Sequence, residues 1–90
     1  MTMIYMVNHV KQRYYYIMLY QDIFNTWCIK KSYGGLHNNH AHSIVISCDN
    51  FIIANDLLTQ TEQVRLKHGY VYADINHVEH YNLTPQIREN

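Results

Sequence analysis

A single change of hydrophobic period constrains this chain more than any other feature. Up to Cys48 the apolar residues come in short β-branched and aromatic runs. From Asp49 the sequence reads DNFIIANDLLTQTEQVRLKHGY, with Ile53, Ala54, Leu57, Leu58, Thr61 and Val64 at helical spacing. Asp49 or Asn50 can cap this helix by accepting backbone N–H bonds. Arg65, Lys67 and His68 sit where the helix dipole favours cations, and Gly69 suits the position beyond the C-cap. One helix must therefore serve several strands.

The strands are read from MIYMV (3–7), RYYYIMLY (13–20), TWCIKKSY (26–33) and AHSIVISC (41–48), with a short fifth, YVYAD (70–74), after the helix. NHVKQ suits a hairpin loop between the first two. In the third run Trp27, Ile29 and Lys31 share one face, and Cys28, Lys30 and Ser32 the other. Gly34-Gly35 and Asn38-Asn39 tolerate positive φ, so a turn is expected within 34–40. The pattern predicts an α+β domain: a mostly antiparallel sheet of four to five strands, with one helix packed on one face and the other face partly solvated. The domain is expected to span residues 1–75. The polar segment 76–90, which holds the only proline, Pro85, is expected to be a loosely ordered tail.

Ninety residues suffice for one modest core. Nine tyrosines against two Phe and one Trp favour half-buried strands and wet binding faces equally. Seven Lys/Arg balance seven Asp/Glu, so long-range attraction to nucleic acid or anionic membrane is weak, and such binding must come from a local patch. No run approaches the roughly 20 apolar residues of a membrane span, and the start lacks a secretory signal, so a cytoplasmic protein without membrane contact is expected. Cys28 and Cys48 match no zinc or redox spacing. A hairpin centred on Asn38 would set them opposite each other, and two reduced thiols are expected.

His37, His40 and His42 have a spacing that a hairpin could wrap around Zn²⁺ or Ni²⁺, but no Cys or carboxylate lies near them in sequence. Exposed turn chemistry explains them equally well, and no metal or cofactor is expected. Catalysis has little support either: there is no Gly-rich phosphate loop, no carboxylate cluster and no nucleophile–base pair that can be placed. The expected role is non-enzymatic.

RYYYIMLYQDIFNTWCIKKSYGG, followed by a strand, a helix and RLKHGYVYA, resembles the WGR domain. That family runs from a Tyr-rich strand to a tryptophan strand, the Trp-Gly-Arg turn, a further strand, a helix and a basic-Gly-Tyr segment. Small stand-alone bacterial WGR proteins are the most similar in pattern. Their Gln-Asp-Leu-Phe-Gly-Gly-Trp corresponds to Gln21 through Trp27 here. The resemblance covers about residues 4–74. It implies DNA binding near a break, the role for which WGR domains of DNA-dependent poly(ADP-ribose) polymerases are known, without the catalytic domain. The naming triplet differs: Tyr33 stands for the tryptophan, Gly34 keeps the glycine, and Gly35 replaces the arginine. Glycine cannot supply a guanidinium that forks onto phosphate.

These readings converge on a non-catalytic DNA-binding module, with ends or nicks as the expected targets. In it Tyr33 stacks, and Lys30, Lys31, Arg13, Arg65 and Lys67 contact phosphates. The rival reading is a protein–protein module, either an adaptor or a homodimer formed through a Tyr-rich sheet face without nucleic-acid binding.

Overall fold

The structure is a computed structural model that describes residues 2–37 and 41–73. Five strands and one helix follow in chain order: β1 (Thr2–Asn8), β2 (Arg13–Gln21), β3 (Trp27–Gly35), β4 (Ala41–Cys48), α1 (Phe51–Lys67) and β5 (Val71–Tyr72). The strands form one antiparallel sheet in the order β4-β3-β2-β1-β5, so the chain is the small α+β fold that the periodicities predict. Segment 76–90 lies outside the described residues.

Strand parity sorts the side chains as read from sequence. One face collects Met6, Tyr15, Ile17, Leu19, Ile29 and Cys48 beneath Ala54 and Leu58 of the helix, with Trp27, Tyr33 and Ile46 packed at the margins. Each large side chain fully removed from water there contributes about 1.5–3 kcal/mol, whereas an isolated helix of this length is marginal in water. Burial against the sheet therefore holds α1 in place. Its apolar stripe is wider than its buried face: Ala54, Leu58 and Thr61 are buried, while Ile53 and Val64 are exposed.

The opposite face is partly solvated, as expected, at Met3 (50% exposed) and Val45 (54% exposed), but its centre is buried. Tyr5, Val7, Tyr14, Tyr16, Met18 and Leu36 form a second buried cluster, with Tyr20 and Ala73 packed against it. Tyr14 and Tyr16 retain only 3% exposure each. Tyr5, Tyr14 and Tyr16 are therefore part of the interior.

The connection between β3 and β4 lies within the expected 34–40, but it excludes the glycines, and the cysteine register shifts. Gly34 and Gly35 lie inside β3, opposite Tyr14 and Arg13, rather than in a turn. The β3–β4 register sets Trp27 opposite Cys48 and Cys28 opposite Ser47. The two cysteines are thus one position out of register and face opposite sides of the sheet, and both are buried free thiols. Side-chain period 2 makes that single-residue offset decisive.

The helix ends are built as the sequence suggests. The Asn50 side chain accepts the Ile53 N–H at 2.9 Å. At the C-terminus the Tyr70 N–H donates to Arg65 O and the Gly69 N–H to Leu66 O, with Gly69 at φ +90°. This is a Schellman arrangement, and it folds Tyr70 back beside Arg65. The amide of Asn8, buried at the end of β1, adds a bond from Nδ2 to His68 O at 3.0 Å while its Oδ1 accepts the Lys11 N–H at 2.9 Å. One side chain so joins the β1–β2 turn to the end of the helix.

Candidate functional site

The helix-side face of the sheet runs on past the C-terminal end of α1, and there a row of rings crosses the strands. Tyr15, Tyr33 and His42 are successive cross-strand neighbours on β2, β3 and β4. Tyr15 and Tyr33 are stacked with centroids 5.4 Å apart and planes 8° apart, and Tyr33 and His42 are stacked at 5.4 Å and 26°. Tyr70, delivered by the helix C-cap, meets Tyr15 edge-on at 6.1 Å. Offset and edge-to-face pairs of this kind favour a fixed ring geometry.

Arg65 closes the row from above. Its guanidinium carbon lies 4.8 Å from the Tyr15 centroid and 5.5 Å from that of Tyr70. Two ring faces hold the cation without neutralising it. Its Nε is buried and meets no hydrogen-bond acceptor among the described residues. Burial raises the Tyr15 hydroxyl above its ordinary pKa, an effect that the neighbouring Arg65 charge partly offsets. The hydroxyl stays protonated at neutral pH and leaves the arginine charge uncompensated.

Around this row lies a cleft of about 730 Å³, lined by Lys11, Arg13, Lys31, His42 and Arg65 together with Tyr15, Tyr33, Tyr70 and the backbone of Gly34 and Gly35. Among the described residues no carboxylate lines it. A zero-charge protein thus gathers four permanent cations from three elements and one turn into a single concave surface, which is the local patch that net charge cannot reveal.

Four of the six residues singled out from sequence, Tyr33, Lys31, Arg13 and Arg65, line this cleft. Lys30 does not: it stands opposite Val45 with the parity of Cys28 and Ser32, on the other sheet face. Lys67 is exposed at the end of α1 and is also absent from the lining. Tyr33 is not a free stacking platform, because Tyr15 and His42 flank it from the two neighbouring strands. Lys11, Tyr15, His42 and Tyr70 complete the site. Tyr15 carried a usable signal, since it shares parity with Ile17 and Leu19 and so had to lie under the helix side.

The histidines separate. His42 belongs to the ring row, and His37 lies on the loop after β3, with its Nε2 2.5 Å from Gln12 Oε1. His40 lies outside the described residues. Among the described residues no three His, Cys, Asp or Glu side chains gather as a metal site. No described helix is long and apolar enough to cross a membrane. Compared with known proteins, the chain matched no family model, no curated protein and no solved structure.

Proposed function

We propose that this chain is a non-catalytic module that binds DNA, at an end or a nick, through phosphate contacts in the cationic cleft. The observation that carries the reading is Arg65: a guanidinium held between two tyrosine rings, in a cleft lined, among the described residues, by four Lys/Arg side chains and no carboxylate. A phosphate entering the cleft is attracted by the Arg65 guanidinium charge and gains charge-assisted bonds from Lys11, Arg13 and Lys31. The resemblance to the WGR domain supports the same reading, and Asn25 at φ +64° adopts a conformation that glycine takes freely at the corresponding place in that pattern. Arg65 provides, from the helix, a guanidinium that Gly35 cannot.

In this reading phosphate recognition dominates and base stacking is minor. The rings fix Arg65 and wall the cleft, and Tyr33 presents an edge rather than a face.

The test is fluorescence anisotropy with a nicked, 5′-phosphorylated duplex at low and near-physiological salt, using intact duplex as competitor. Four cations predict a slope of log affinity on log salt of about −3.6. Arg65→Ala is expected to weaken binding and reduce that slope by about 1. Absence of binding at low salt would refute the proposal. The rival, a protein–protein module, draws on the exposed apolar side chains of β4 and predicts binding to a protein that changes little with salt.

A further inference from the structure

The two edges of the sheet are treated very differently. At one edge β5 has only two residues, so it offers almost no backbone for a further strand. At the other, β4 extends over eight residues and pairs, among the described residues, with β3 alone. Its sequence, AHSIVISC, contains no Lys, Arg, Asp, Glu, Pro or Gly. Edge strands of monomeric proteins are ordinarily blunted by such residues, because a bare ladder of N–H and C=O groups recruits other strands. Nothing of the kind protects β4. Its centre is apolar on both faces, with Ile44 45% and Val45 54% exposed.

The sequence also specifies which strand fits. Ser43-Ile44-Val45-Ile46-Ser47 reads the same in both directions about Val45. Antiparallel pairing of β4 with the β4 of a second copy, with the two-fold axis at Val45, sets Val45 against Val45, Ile44 against Ile46 and Ser43 against Ser47. Like meets like over these five positions, and beyond them His42 faces Cys48. Even-numbered residues oppose even-numbered ones, so both helices stay on the same side of the joined sheet and no apolar side chain changes face. Ile53 and Val64 leave apolar surface exposed on that helix-bearing side. With zero net charge the two copies do not repel each other at long range.

We infer that the β4 edge is a self-association surface, through which two copies form a ten-stranded antiparallel sheet about a two-fold axis at Val45. The contact is isologous and closes on itself, and the two-residue β5 edge gives little purchase for further strands, so growth stops at the dimer. The test substitutions spare the cleft, because Val45 does not line it, although His42 and Ile44 of the same strand do.

Light scattering on size-fractionated protein at tens of micromolar is expected to give twice the 10.8 kDa chain mass. Val45→Lys places two ammonium groups opposite each other on the axis and is expected to halve the mass with an unchanged circular dichroism spectrum. Val45→Glu alone should behave likewise. An equimolar mixture of the two variants should regain the dimer mass, which also shows that both fold. Val45→Cys puts its two sulfurs within disulfide reach across the axis, so mild oxidation should cross-link it, while Gln63→Cys on the exposed helix surface should not. A wild-type mass of one chain overturns the proposal. So does a dimer that survives Val45→Lys, since the copies would then meet elsewhere.

Discussion

Two asparagines show how much a single polar side chain decides in a domain of this size. Asn8 is buried at 4% exposure and uses both ends of its amide, donating to His68 O and accepting from Lys11 N. Asn8→Ala leaves both backbone groups to find other partners and is expected to cost about 1–3 kcal/mol. Because those groups flank the cleft, the loss should also weaken ligand binding through Lys11 and Tyr70. Urea denaturation followed by circular dichroism measures the first effect, and an unchanged midpoint would show that water replaces the amide at no cost. Asn50 caps the other end of the helix and does not line the cleft. Asn50→Ala is expected to cost about 1 kcal/mol and to leave DNA affinity unchanged under folding conditions. Comparing the two variants separates a residue that positions the site from one that only stabilises the helix.

At the level of elements, β2 is the strand on which everything else rests. It pairs on both sides, with β1 and β3, and sends Tyr15, Ile17 and Leu19 into one core and Tyr14, Tyr16 and Met18 into the other. Ile17→Ala is expected to cost about 2–5 kcal/mol, whereas Val64→Ala on the exposed flank of α1 should stay within about 0.5 kcal/mol in the monomer. Denaturation midpoints of the two variants check this contrast. Which residues share a face was legible in the sequence because parity is a local property: Trp27, Ile29 and Lys31 separate from Cys28, Lys30 and Ser32 without knowledge of any partner. Register is not local, so the sequence places a turn within 34–40 without showing that Gly34 and Gly35 still belong to β3, and a hairpin centred on Asn38 would oppose the cysteines, whereas they are offset by one. Azimuth on the helix was equally hidden. Arg65 and Lys67 both belong to the last turn, but two residues are about 200° apart around the axis, so only one of them faces the cleft. His42 was visible as a residue of interest, yet its role depends on the β3–β4 register that brings it onto Tyr33.

For the molecule as a whole, the consecutive Tyr14, Tyr15 and Tyr16 make stability sensitive to alkali. All three lie in the interior, two on one sheet face and one on the other, and burial raises the pKa of each above the ordinary tyrosine value. An unfolded tyrosine loses its proton near pH 10. Between that point and the raised folded values the unfolded chain releases protons that the folded chain keeps. The linkage therefore favours unfolding as pH rises: the contribution of these groups is fully present below about pH 10 and is lost as pH climbs through the folded pKa values. Urea midpoints are expected to hold steady from neutral pH to about 9 and then fall, and tyrosinate absorbance should show a late-titrating group that appears together with unfolding. Arg65→Leu sharpens the prediction. Removing the charge that lowers the Tyr15 pKa should push that hydroxyl higher still, so the variant should lose more of its stability over the same alkaline range than the wild type does. If every tyrosine instead titrates together with free tyrosine while the fold persists, the three hydroxyls are in contact with solvent and the double-cored sheet described above is wrong.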